Sequence, residues 1–306
     1  MDADRWDLYL TTLREFREAG RGERPAGRWN SSSLGKCPQS LIRAQLGDPG
    51  ENSEISAKTR RTFAFGDIIG DIHKERSGRM GFLVYPPEGT EWHLTDDELR
   101  CSGYIDRLEI SPPQTIGSIP EEIRGGWSED WVKMLEGMRD AAREQDDRAP
   151  GYYIIEDKSI KASSMTYPPL WEGDAPGSPK PEHTLQIGSY VLMAKRNPDQ
   201  LPGPIAGASV VYTGKDSGGM LEFDIDLAAA AALAEERIAF LTAEFEKDTT
   251  SDITCECHDS NWMPFYCNHR YLLEERKGPK GGRRIYAECC SGANVERAWK
   301  AGDEAL

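Results

Sequence analysis

Four apolar or aromatic positions, Tyr152, Tyr153, Ile154 and Ile155, run directly into the charged triplet Glu156-Asp157-Lys158, behind the breaker pair Pro150-Gly151. A short Ile- and Tyr-rich run in that setting predicts a buried strand. Side chains at i and i+2 share a face of a strand, so Glu156 and Lys158 point one way and Asp157 the other. The remaining pattern alternates between helical and extended periods. Trp6, Leu8, Leu10, Leu13 and Phe16 predict an amphipathic helix over 4–19. Pro38 suits the first turn of a helix that Gly47 ends. A longer helix is expected over 56–78, carrying Phe63, Phe65, Ile68, Ile69 and Ile72. Gly66 and Gly70 lie on it, each costing about 1 kcal/mol against alanine, so another element should approach there. Strands are expected at 81–85, 91–94 and 99–110, with Ser102, Tyr104, Asp106 and Leu108 on one face of the last. A helix follows at 129–146, and another at 182–195, on which Gln186 and Tyr190 share a face. The Pro-rich stretch 162–181 between them reads as a loop, long enough to be a lid or substrate guide. Two strands, 205–213 and 219–224, precede an Ala-rich helix over 226–247 capped by Asp224 or Asp226. A basic Gly-rich loop at 276–284 and a short helix near 294–301 complete the chain. This alternation predicts an α/β fold, a mixed sheet covered by helices.

At 306 residues the chain could hold one large domain or two small ones. No apolar run approaches the roughly 20 residues of a membrane span, and the acidic N-terminus lacks an apolar signal core. A cytoplasmic protein with no membrane partner is expected. The net charge of −15 argues against a broad nucleic-acid-binding surface. A site needs only local charge, however, and divalent cations can neutralise an acidic cleft. Lys58, Arg60 and Arg61 form one basic cluster, and Arg270, Arg276, Lys277, Lys280, Arg283 and Arg284 another. Each reads equally well as solvated surface. The seven cysteines are an odd count, which argues against a secreted disulfide framework. Cys255, Cys257 and Cys267 crowd together in a metal-like pattern, and Cys37 sits at a helix start, where the dipole favours thiolate.

Asp106 is a carboxylate on a face shared with apolar residues, which is costly unless it is paired or metal-bound. Glu156 beside Lys158 could be a metal ligand next to a water-orienting cation, or a plain ion pair of little worth. His73, three residues after Gly70, reads by itself as a hydrogen-bonded helix histidine.

In order, these pieces are Gly70-Asp71-Ile72-His73, Gly103-Tyr104-Ile105-Asp106, Ile155-Glu156-Asp157-Lys158 and Gln186-Ile187-Gly188-Ser189-Tyr190. Over about residues 31–270 they resemble the RecB-like branch of the PD-(D/E)xK nuclease superfamily. The resemblance implies a single nuclease domain over 1–306 with a restriction-endonuclease-like core, a central mixed sheet flanked by helices, at 56–225 and a helical extension at 1–30. It implies a metal-dependent deoxyribonuclease, an exonuclease hydrolysing phosphodiester bonds at DNA ends or in single strands. The setting would be recombination, repair or phage DNA processing, with a recombination or helicase protein as partner. Such chemistry needs an activated water and a stabilised oxyanion, which Mg²⁺ or Mn²⁺ provides. Hard cations prefer oxygen ligands. Asp106, Glu156 and the main-chain carbonyl of Asp157 would provide them, and His73 could complete the shell, favouring Mn²⁺. Lys158 would hold the attacking water. Gln186 and Tyr190 would position the Lys158 side of the site, as the family's QxxxY motif implies.

The cysteines carry a second resemblance. AddB-type nucleases and the RecB-family exonucleases of CRISPR adaptation join one N-terminal cysteine to three C-terminal ones around a [4Fe–4S] cluster, and four thiolates is the right count. Ser33-Leu34-Gly35-Lys36-Cys37-Pro38 is similar to the N-terminal part, and Cys255, Cys257 and Cys267 would complete the set. This chain departs from the family at Trp262-Met263-Pro264-Phe265, with methionine where a cysteine is expected. A zinc site from Cys255, Cys257, Cys267 and His258 or His269 is the competing reading, and Cys289 or Cys290 could replace a ligand. Either metal would make 31–47 and 250–270 a cysteine-clasped periphery whose folding is coupled to metal binding. The rivals for function are a site-specific endonuclease on the same core and a catalytically silent iron–sulfur or zinc protein that binds DNA or assembles with partners.

Overall fold

The computed structural model describes residues 26–47, 57–87, 91–118, 121–166, 170–172 and 175–247, and the strands at 271–277, 283–288 and 294–298. In chain order the elements are β1 (Trp29–Asn30), α1 (Pro38–Gln45), α2 (Ala57–Met80), β2 (Trp92–Asp96), β3 (Cys101–Ile105), β4 (Arg107–Ser111), α3 (Glu121–Arg124) and α4 (Glu129–Gln145). There follow β5 (Gly151–Ile160), α5 (Ala162–Met165), β6 (Trp171–Glu172), β7 (Ala175–Pro176), α6 (Pro181–Arg196), β8 (Ile205–Gly214), β9 (Met220–Asp224), α7 (Leu227–Glu246), β10 (Tyr271–Lys277), β11 (Arg283–Glu288) and β12 (Asn294–Ala298). The helix expected over 4–19 lies outside the described residues. Among those described, no helix is long and apolar enough to cross a membrane.

The chain divides into two compact units, one of residues 1–20, 29–35 and 58–237, the other of 21–28, 36–57 and 238–306. The first holds two mixed sheets flanked by helices. One has the order β1-β3-β2, with β1 parallel and β2 antiparallel to β3. The other has the order β4-β5-β8-β9, in which β5 and β8 run parallel and the outer pairs antiparallel. Ile154, Leu108, Val210 and Ile187 are fully buried in this unit. Alternation along β5 puts Glu156 and Lys158 on the face covered by α6, and Asp157 and Ser159 on the face approached by α2.

Helix α6 begins with Pro181, whose fixed φ and missing N–H suit a first turn. It ends with Lys195 and Arg196 near its carbonyl end, where the dipole favours cations. Every residue from Gln186 to Ala194 is buried, and the helix touches both mixed sheets, which explains a stripe apolar on all sides. Helix α2 is stopped from outside: Arg139 of α4, 2% exposed, donates to its last-turn carbonyls of Gly78 at 2.6 Å and Arg79 at 2.8 Å, and to Gln114 at 3.1 Å.

Several expected elements change. The strand over 99–110 is broken at Asp106, because the chain leaves one sheet there and enters the other. Residues 81–85 make only a bridge, Leu83 to Glu109. The stretch 162–181 contains α5, β6 and β7 rather than loop alone. On α2, Gly66 faces the Ser159 hydroxyl as expected, but among the described residues nothing lies within 4 Å of a methyl added at Gly70.

In the second unit, the Gln45 side chain at the end of α1 accepts the Gly27 N–H at 2.8 Å and donates to the Arg28 carbonyl. β10, β11 and β12 form an antiparallel meander. The helix expected near 294–301 is therefore a strand at 294–298. A five-residue segment is too short to hold a helix by propensity, and the edge of β11 offers it a full ladder from Arg284–Ala298 to Glu288–Asn294.

Candidate active site

The break at Asp106 creates the site. β4 pairs with β5 only up to Arg107 and Ile155, so the β5 backbone beyond that point loses its neighbour. The Asp106 carboxylate takes the vacant position and accepts the Asp157 N–H at 3.0 Å. In an extended strand a residue's N–H and C=O point to the same side, so the Asp157 carbonyl faces this edge too.

The Asp106 carboxyl lies within hydrogen-bonding reach of the Glu156 carboxyl, which is 1% exposed. Burial, and then the charge of Asp106, push the Glu156 pKa well above the usual carboxylate range. Burial raises Asp106 as well, against the pull of Lys158. One oxygen, Glu156 Oε1, is saturated: it accepts from the Lys158 ammonium and from Gln186 Nε2 at 2.7 Å. The other, Oε2, is buried with no donor among the described residues. A buried carboxyl oxygen without a donor, with a second carboxyl close by, is stabilised by a shared proton or a cation.

Lys158 donates to Glu156 and, at 3.1 Å, to Gln186 Oε1. Burial works against its charge, but Glu156 and Asp106 outweigh burial and hold its pKa above the usual lysine value. Gln186 Nε2 also reaches the Tyr190 oxygen at 2.8 Å, and the Tyr190 hydroxyl donates to the Tyr104 carbonyl at 2.7 Å. Burial keeps that hydroxyl protonated, with its pKa well above the usual tyrosine value. The chain Lys158–Gln186–Tyr190–Tyr104 thus ties β5 through α6 to β3, two residues before Asp106.

His73 is not gathered with these groups. Its Nδ1 meets Asp157 Oδ1 at 2.7 Å and its Nε2 lies 3.4 Å from the Thr213 hydroxyl, on the opposite face of β5. Asp157 is also held by Arg107, at 2.6 Å and 3.0 Å. Burial opposes its charge, but His73 and Arg107 keep its pKa below the usual aspartate value. A cavity of about 850 Å³ opens on this face, lined by Arg107, Glu109 and Arg148 among others. Arg107 and Arg148 both pair with Glu109 in it, the latter at 3.0 Å, so salt bridges line this cavity on the face of β5 away from the carboxylate pair.

Among the described residues no three His, Cys, Asp or Glu side chains gather as a metal shell. The donor set at Asp106, Glu156 and the Asp157 carbonyl still fits a hard cation. Mg²⁺ commonly takes one or two carboxylates and keeps waters in its remaining positions, and the donorless Glu156 Oε2 is an oxygen such an ion would satisfy. With His73 paired elsewhere, the expected preference for Mn²⁺ loses its basis. Cys37 is buried at the start of α1. Cys255, Cys257, Cys267, Cys289, Cys290, His258 and His269 lie outside the described residues.

Two residues beside Lys158 escaped the sequence reading. Tyr212 on β8 is the register partner of Lys158, and His183 lies one helical turn before Gln186. The spacing of His183, Gln186 and Tyr190 on one face of α6 was the available signal.

No family model matches the chain, and no curated protein matches it. Among solved structures it is similar to one described as "Crystal structure of SSO0001", with a TM-score of 0.40 and 14% identity, covering 85% of this chain and 92% of that one. A likeness at that level carries no argument for fold or chemistry.

Proposed function

We propose that this chain is a divalent-metal-dependent deoxyribonuclease of the RecB-like PD-(D/E)xK type, with β4-β5-β8-β9 as its restriction-endonuclease-like core. The observation that carries the reading is the half-buried Asp106 beside the buried Glu156, which has an oxygen with no donor among the described residues, next to a charged lysine held by Gln186, itself fixed by Tyr190. Bound by Asp106, Glu156 and the Asp157 carbonyl, Mg²⁺ or Mn²⁺ would polarise the phosphoryl oxygen and acidify a water. The rest falls to the chain itself. Lys158 stays protonated, so it acts as a donor that orients water or a phosphate oxygen rather than as a base. Gln186 fixes the Lys158 ammonium through its carbonyl oxygen and Glu156 through its amide. Tyr190 fixes Gln186. Lys161, Lys180 and Lys215 follow β5, precede α6 and follow β8, which supports local contact with a phosphate backbone despite the net charge of −15.

The substrate would be linear or single-stranded DNA, and linear against circular templates separates exonuclease from endonuclease. The test compares wild type, Lys158→Ala and Glu156→Gln on 5′- and 3′-labelled strands with Mg²⁺ or Mn²⁺. Loss of about 10²–10³-fold or more in both variants is expected. Activity that survives both substitutions sinks the reading, and DNA binding without cleavage by wild type favours the silent binding or assembly protein. Iron and zinc analysis of anaerobically purified protein decides the proposed cysteine clasp, with about four irons per chain for a cluster and one zinc for its rival.

A further inference from the structure

Lys158 and Tyr212 are paired across β5 and β8, so their side chains stand side by side on the sheet face beneath α6. Tyr212 is fully buried and its oxygen accepts the Lys180 N–H at 3.0 Å. His183 Nδ1 lies 2.7 Å from the same oxygen. A buried hydroxyl must place its proton on an acceptor. Here Nδ1 of His183 is that acceptor, so the ring carries its own proton on Nε2. The groups around the ring are Lys158 from β5, Tyr212 from β8, and Lys180 and Glu182 at the start of α6. Burial, then Lys158 and Lys180, push the imidazolium down to about 2, and the ring stays neutral. His183 is half-buried and its Nδ1 edge is taken by Tyr212, which leaves Nε2–H as the edge that can donate to a ligand.

We propose that His183 is a further substrate-contacting residue, whose Nε2–H donates to a non-bridging oxygen of the scissile phosphodiester beside Lys158, and that Tyr212 is the positioning residue that sets its tautomer. This rests on the nuclease reading. A donor aimed where negative charge develops helps catalysis, and one that does not titrate near neutrality keeps its function across the working pH range.

The experiment is ¹⁵N-imidazole NMR of the full-length chain, with and without a short single-stranded oligonucleotide, in Ca²⁺ to hold cleavage. The Nε2–H tautomer should persist below pH 6 and its resonance should move on adding DNA. An Nδ1–H tautomer, an ordinary titration near 6.5, or no response to DNA would each overturn the proposal. Kinetics then separate the two readings. His183→Ala should lower kcat about 10²–10³-fold, His183→Gln should recover part of it by restoring a donor, and Tyr212→Phe should add a pH inflection that wild type lacks. Active wild type with an equally active His183→Ala defeats the assignment alone. An NMR response in a wild type that cuts nothing leaves a phosphate-binding histidine and defeats the nuclease reading.

Discussion

With Glu156 1% exposed and facing the Asp106 carboxyl, its charge is opposed first by burial and then by its neighbour. In the folded chain it therefore holds a proton at pH values where the unfolded chain has released it. That contribution to stability is complete below the ordinary glutamate range and is lost as pH rises through the raised value. Without divalent cations the melting temperature should fall as pH rises above the ordinary glutamate range. Added Mg²⁺ should restore it, with a shift that grows over the same range, and Glu156→Gln should remove both effects. A flat profile with no Mg²⁺ shift would mean that the pair does not hold an ion. Arg139 makes the opposite case, a buried charge used for structure. Arg139→Met should cost at least about 2 kcal/mol in denaturant unfolding, because the Gly78, Arg79 and Gln114 carbonyls lose their donor.

Helix α6 carries Gln186, Tyr190 and His183 and can deliver them only by lying close on its neighbours. At Gly188 a methyl group would collide with the Ala230 carbonyl of α7 and press on Ala234. Gly188→Ala should destabilise by about 1–3 kcal/mol through overpacking, and should weaken Gln186's hold on Lys158 as the helix shifts. Gly70 on α2 supplies the contrast, with nothing among the described residues within 4 Å of an added methyl. Gly70→Ala should stabilise by about 0.5–1 kcal/mol. Thermal melts of the two variants moving in the same direction would contradict this account of the packing.

For the molecule as a whole, the net charge of −15 means that any DNA contact is local. Contacts limited to Lys158, Lys161, Lys180 and Lys215 predict a shallow salt dependence of single-strand binding, a log–log slope no steeper than about −3. A steeper slope would reveal a larger basic surface than these four lysines.

The strand at 151–160 and the helix at 181–196 were readable from the chain because each has a strong local period, and that period also separates Glu156 and Lys158 from Asp157. The Gln186–Tyr190 spacing follows from helical geometry alone. What the period cannot state is which element lies on each face. Only the tertiary structure places α6 over Glu156 and α2 over Asp157, which is why His73 pairs with Asp157 instead of joining the carboxylates. The break at Asp106 is likewise non-local, since a chain that passes between two sheets looks, residue by residue, like one long strand. The same holds for 294–298, where a neighbouring edge overrode a weak helical pattern, and for Tyr212 and His183, 29 residues apart in sequence and brought together only where α6 lies over β8.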